Sequence, residues 1–175
     1  MKKNLIISLF VSLLLTANSF SAGSSDTGSS KTKTQYDMAV SHINAAKKFE
    51  EKNKIEKAKK RYQKAQKLLL QSNKKFPNKV DTLNYLGFTT RKLGDFENGE
   101  KYYLQGLAIE PNHVGINEYL GELYVATNRH NLAVERLEIL KGCNCEEYNQ
   151  LKADYILHNC NLLKSPIFQQ LNCVC

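Results

Sequence analysis

The chain has 175 residues, 42% of them hydrophobic and 24% charged, a formal net charge of +8, three prolines and no tryptophan. Those figures fit one domain once an N-terminal segment is set aside, and past that segment the residue order shows no second long apolar stretch that would suggest a membrane anchor. Met1-Lys2-Lys3-Asn4 is a short basic start, and Leu5 to Leu15 is an apolar run too short to span a bilayer comfortably. Ser19-Phe20-Ser21-Ala22 then offers small residues for cleavage. Together these read as a secretory signal peptide over residues 1–21, cut after Ser21 or alternatively Ala22, with an uncleaved anchor helix as the other reading. No cysteine lies nearby, which argues against lipoprotein processing. The expectation is a soluble, exported protein, periplasmic or secreted.

Residues 22–34 (from Gly23, GSSDTGSSKTKT) are Ser/Thr/Gly-rich and nearly devoid of apolar groups, so they read as a flexible linker. From about Tyr36 onward the periodicity is helical, and no run alternates long enough to argue a sheet. Lys47 to Lys79 carries 13 Lys/Arg against Glu50, Glu51 and Glu56. Export makes nucleic acid an unexpected partner for this stripe. What remains is a weak attraction to anionic lipid headgroups, an acidic envelope polymer or an acidic protein, or simply a solvated face. Within the stripe, Ile55, Ala58, Tyr62, Ala65 and Leu69 recur at 3,4,3,4 spacing and form one apolar helix face, too short for a convincing coiled-coil seam. Phe76-Pro77-Asn78 ends it.

The next segment is the clearest. A helix is expected over Val80–Lys92, with Asp81 in its first turn, where a carboxylate complements the helix dipole. Leu93-Gly94-Asp95 closes it, Gly94 being free to adopt the left-handed conformation. A second helix, Phe96–Ile109, stops before Glu110-Pro111-Asn112, because proline cannot continue a helix. Gly87, Gly99 and Gly106 are expected to let the two backbones approach, while Leu86, Phe96, Tyr103 and Leu107 fill the gaps. Glycine inside a helix costs about 1 kcal/mol relative to alanine, so three of them argue for close packing.

Leu86-Gly87 recurs downstream as Leu120-Gly121, one repeat length of a tetratricopeptide (TPR) unit away. Tyr124 follows, completing the L-G-x2-Y core of that unit. Asn128-Arg129-His130 makes the turn, and Ala133, Leu137 and Leu140 carry the inward stripe of the following helix. Cys145 stands where the preceding repeat has Pro111. Looking back, Ala58, Tyr62 and Ala65 match Gly99, Tyr103 and Gly106, but at a wider spacing. The seven extra residues, about two turns, fall around Leu68 to Lys75. A last helix over about 146–157, with Tyr148, Leu151, Tyr155 and Ile156 inward, would cover the final apolar face. The expected fold class is thus an all-α helix-turn-helix superhelix with repeats at about 39–79, 80–113 and 114–145, a capping helix, and a domain over 35–163. A cysteine-containing tail over 164–175 follows.

Val80 to Leu151 resembles small exported bacterial TPR proteins. The likeness lies in Leu86-Gly87, Gly94-Asp95-Phe96, Tyr103, Ala108 and Pro111-Asn112, then in Glu118-Tyr119-Leu120-Gly121-Glu122, Ala133 and Leu137, and in the Cys143-x-Cys145-Glu146-Glu147-Tyr148 to Leu151 ending. The resemblance implies a non-catalytic protein-interaction module or assembly scaffold whose inner helices line a groove for a protein or peptide partner. Here the groove would present Asp81, Asn84, Phe88, Arg91 and Lys92, then Glu118, Glu122 and Val125. Some TPR proteins clamp a partner's terminal carboxylate with lysine and asparagine; Phe88 and Glu122 occupy the places such a clamp needs, so that activity does not carry over. The departures are glycines for alanines at Gly99 and Gly106, the missing last proline and the inserted turns.

Five cysteines crowd the last third: Cys143, Cys145, Cys160, Cys173 and Cys175. Export favours disulfides. Residues two apart in extended chain point to one side, so Cys143/Cys145 could dock on Cys173/Cys175 as two parallel bridges, leaving Cys160 free. The alternatives are unpaired or intermolecular cysteines, and a zinc or copper site with His158 or Cys160 that would make this a thiol- or metal-handling protein. His42, His113, His130 and His158 are scattered and lie beside no recognised catalytic motif, so no catalytic residue, cofactor or metal is expected.

Overall fold

The computed structural model describes residues 33–163, and all regular structure among them is helical. The expected signal segment 1–21, linker residues up to 32 and tail 164–175 lie outside the described residues. Seven helices follow in order: α1 Gln35–Glu51, α2 Ile55–Lys75, α3 Val80–Lys92, α4 Phe96–Ile109, α5 Val114–Ala126, α6 His130–Leu140 and α7 Glu146–Leu163. None is long and apolar enough to cross a membrane.

The ends of these helices follow from local chemistry. Thr34 opens α1 with a capping box: its hydroxyl accepts from the Asp37 amide at 3.1 Å, while the Asp37 carboxylate accepts from the Thr34 amide at 2.9 Å. Such a cap is worth about 1 kcal/mol. Asp95 caps α4 by accepting from the Asn98 amide at 3.1 Å. The His113 ring does the same for Ile116 at the start of α5. The turns between α1 and α2, α3 and α4, and α5 and α6 each hold one left-handed residue, Asn53, Gly94 and Asn128, with φ of 53°, 96° and 58°. Asparagine tolerates that conformation better than other side chains, which is why it can stand in for glycine at the repeated turn.

α1 packs on α2, α3 on α4 and α5 on α6, while α2–α3 and α4–α5 join successive hairpins. α1 also touches α3, α3 touches α5, and α7 lies mainly on α5 and less on α6. The core falls into two clusters. One gathers Ala39, Ile43, Ala46, Ala58, Tyr62, Ala65, Leu69, Leu86 and Phe88. The other gathers Tyr103, Ile116, Leu120, Leu123, Ala133, Leu140 and Leu151. Tyr119 packs against both.

Small residues set the spacing. A Cβ on Gly87 would overlap the Tyr103 ring, one on Gly106 would overlap Ile116, and one on Gly99 would lie 3.2 Å from the Gly87 carbonyl. Gly121 meets Leu151 of α7 in the same overlapping way. In the first hairpin, buried Ala46 stands at the place that Gly87 takes in the second, on the same wider spacing that relates Tyr62 to Tyr103. α2 is 21 residues long against 14 for α4, and its seven extra residues extend the carboxyl end.

Several expected inward positions differ. Ile55 is 54% exposed and Phe96 is also exposed. Each is the first residue of its helix, and helical side chains lean toward the amino terminus, so both project past the packed turn. Leu137 is only half-buried. α7 runs to Leu163 rather than ending near Leu157, with Leu151 fully buried and Tyr148 and Tyr155 half-buried. Ile156 is 48% exposed, since one residue beyond Tyr155 turns it about 100° away from the core.

Candidate functional site

The last two turns of α3, the middle of α5 and the end of α1 converge on Phe88. Its ring packs edge-on against Tyr62 at 5.7 Å and tilted against Tyr119 at 4.7 Å. Lys47 lies 4.9 Å above the Phe88 ring and donates to the Tyr119 hydroxyl at 3.1 Å. The Arg91 guanidinium stacks over Phe88 at 5.7 Å and Tyr119 at 5.9 Å, and pairs with Glu122. On the other side Glu50 takes Lys92 at 2.9 Å and the Tyr62 hydroxyl at 2.8 Å. Cation–π contacts of this kind contribute about 0.5–2 kcal/mol each, most where water is excluded.

Burial makes the charges here matter. Glu118 is nearly buried, and desolvation, then the charges of Glu122 and Glu147, push its carboxyl up to about 8. Lys47 and Arg91 oppose that rise. Desolvation likewise pushes the Tyr103 hydroxyl well above the ordinary tyrosine range against the pull of Arg91. Glu50 beside Tyr62 in the first hairpin occupies the place of Arg91 beside Tyr103 in the second.

Of the residues expected to line a groove, Phe88, Arg91, Lys92, Glu118 and Glu122 come together in this cluster, with Val125 one turn beyond. Phe88, Glu118 and Val125 are buried, Arg91 and Glu122 half-buried and Lys92 exposed, so the group is largely packed into the protein rather than a free lining. Asn84 is also buried, turned toward Gly115 at the start of α5. The Asp81 side chain is 73% exposed and meets His113 Nε2 at 3.3 Å, at the far end of α3. Lys47, Glu50 and Tyr119 complete the cluster, though helical spacing alone does not single them out as binding residues. Tyr119 has a signal in the sequence: Tyr85-Leu86-Gly87 repeats as Tyr119-Leu120-Gly121.

A more open surface adjoins this cluster. A cleft of roughly 290 Å³ runs between the Arg91–Glu122 pair and Asp154, Leu157 and His158 of α7, with Val125 and Ala126 below. Leu157 is 61% exposed there. His158 Nε2 lies 2.9 Å from Asn128 Oδ1, and its ring is 5.5 Å from that of His130. No group of three or more metal-ligating side chains occurs among the described residues.

Cys143 and Cys145 are joined to each other in a disulfide across the α6–α7 turn. This replaces the expected pair of bridges to Cys173 and Cys175, because Asn144 turns left-handed (φ 48°) instead of continuing an extended chain. Two residues on one side of an extended strand cannot meet; a turn at the residue between them brings their sulfurs together. Cys173, Cys175 and the Cys160 side chain lie outside the described residues. No protein-family model matches this chain, and no curated protein matches it.

Proposed function

We propose that this is an exported TPR-type scaffold that holds another polypeptide in the cleft between α3, α5 and α7, without catalysis. The observation that carries the reading is the cleft itself: an exposed leucine on α7 faces a fixed arginine–glutamate pair on α3 and α5. A peptide docking on a helical surface uses that combination, one apolar anchor for affinity and a fixed polar pair for orientation. The recurrence of Tyr85-Leu86-Gly87 as Tyr119-Leu120-Gly121, with both glycines filled by a neighbouring helix, supports the repeat assignment. The basic start and apolar run of residues 2–15 support export, to the periplasm or outside the cell.

A photo-crosslinking side chain placed at Ala126 in the source cell tests it. One discrete polypeptide adduct is expected, reduced at least tenfold when Leu157→Asp is added. Adducts that match those of a crosslinker at Leu104, on the outer surface of α4, would refute a partner site in the cleft.

A further inference from the structure

The cations of α2 are arranged unlike most of those beyond it. Lys92, Arg91, Arg129, Arg136, Lys101 and Lys141 each meet a carboxylate. No ion pair among the described residues includes a cation of α2, where Glu56 is the only acid. Lys57, Lys60, Arg61, Lys64 and Lys67 recur at 3,1,3,3 spacing, so they occupy one flank over about 15 Å of helix. This flank lies away from Ala58, Tyr62, Ala65 and Leu69, which are buried. Four of its five cations are exposed; Arg61 is half-buried against the His42 ring, 3.1 Å from Nδ1. Burial, then the positive charges of Arg61 and Lys64, hold His42 below the ordinary histidine range.

The shape of the surface narrows the partner. Between Phe49 of α1 and Lys57, Lys60, Arg61 and Lys64 there is only an open cleft of roughly 220 Å³. Phe49 is half-buried, packed against the core, and does not stand out as a stacking platform for bases. Phe49 is the one apolar side chain lining that cleft and the rest of its wall is lysine and arginine, so the flank offers a peptide no row of apolar contacts along its length. Long, exposed cations spread along one helix flank instead suit a laterally fluid anionic surface, whose charges move to meet them. We propose that this flank of α1–α2 docks the protein on anionic phospholipid bilayers, its cations taking the lipid phosphates.

Flotation of the full chain with vesicles tests this at near-physiological salt, comparing phosphatidylcholine alone with phosphatidylcholine carrying about 30% phosphatidylglycerol. The wild type should float with the anionic vesicles only. Each cation near such a surface contributes about fivefold in partitioning, so Lys57→Gln, Lys60→Gln, Arg61→Gln, Lys64→Gln and Lys67→Gln together should lower it at least about 100-fold. Replacing the four lysines by arginine should keep it, and Lys101→Gln with Lys141→Gln should change it by less than threefold. Circular dichroism identifies any variant that has lost its helices, and the arginine variant then carries the comparison. Partitioning of the glutamine variant within threefold of wild type, or equal flotation with neutral vesicles, overturns the proposal. So does retention on poly-glutamate without vesicle binding, which assigns the flank to an acidic polypeptide. Displacement by inorganic phosphate, but not by chloride at equal ionic strength, also overturns it in favour of a discrete phosphate site.

Discussion

The middle hairpin and the last hairpin begin alike and end differently. Gly87 on α3 and Gly121 on α5 stand one repeat apart in the same Tyr-Leu-Gly setting. Gly87 receives Tyr103 from α4, its own partner helix, whereas Gly121 receives Leu151 from α7, the helix beyond. The reason lies in α6. It has 11 residues against 14 in α4, and Leu137, at the place of Tyr103, is smaller and only half-buried. A tyrosine can fill the notch over a helical glycine from the next helix; a leucine there cannot. α5 therefore keeps the Tyr-Leu-Gly sequence of α3 while the element that completes it changes. α7 is thus a packing partner of α5 as much as a cover for the end of the stack.

Leu151→Ala tests that difference most severely. Removing a fully buried leucine from a packed site costs about 2–5 kcal/mol, and here it also releases α7. Chemical unfolding should show the loss, and hydrogen exchange should show α7 opening before α1–α4. If α7 keeps its protection, Leu151 does not hold it and the comparison breaks.

The two glycines sharpen it further. Gly87→Ala pushes a methyl into a rigid, fully buried tyrosine ring, a cost of about 1–3 kcal/mol after repacking strain, partly offset by better helix propensity. Gly121→Ala meets the end of a leucine, which can rotate, so its cost should be smaller. Combined with Leu151→Ala, the alanine at Gly121 fills space that the leucine has left. The double variant should therefore be more stable than the sum of the two single losses by at least about 0.5 kcal/mol. Strict additivity would mean the two residues do not share a site.

Glu118 reports on the same junction, because Glu147 of α7 is among the charges that raise it. Its value of about 8 in the folded protein lies above the ordinary 4.5. As pH rises through that window the unfolded chain gives up the proton first, so stability falls from about pH 4.5 to 8. Glu118→Gln should remove this slope. It should raise stability at pH 8 and leave it unchanged near pH 4, as read by thermal unfolding at both. An unchanged slope in the variant would place the titration elsewhere.

The backbone plan is largely written in local chemistry. Val80–Lys92 and Phe96–Ile109 are bounded by Gly94 and Pro111, whose conformational limits act within a turn. The two extra turns of α2 are legible because Ala58, Tyr62 and Ala65 keep their order when laid over Gly99, Tyr103 and Gly106. The cluster around Phe88 is less legible. Helical spacing places Phe88, Arg91 and Glu122 on one side, but it cannot say that Lys47 and Tyr119 cover them, since that depends on how three hairpins stack. The same limit hides Leu157, whose exposure depends on where α7 settles. The Cys143–Cys145 bond departs from expectation for a local reason: an extended chain leaves Asn144 no room to turn, and Asn144 turns.

That turn is also where the two hairpins differ in how they hand over to the next helix. Pro111 stops α4 by chemistry that cannot be switched off, whereas α6 is followed by a disulfide ring. A bond that closes so short a loop restrains the unfolded chain only slightly, about 1.5 kcal/mol by loop entropy. Cys143→Ser with Cys145→Ser should therefore cost less than Leu151→Ala, and a reductant should lower wild-type stability to the level of that variant. Peptide mapping of the oxidised protein should recover the bond within a single fragment spanning Cys143 to Cys145. A fragment joining either residue to Cys173 or Cys175 would give α7 a second tether, through the tail. The buried leucine over Gly121 would then no longer be the main contact that holds it, and the contrast between the two hairpins would be one of covalent restraint rather than packing.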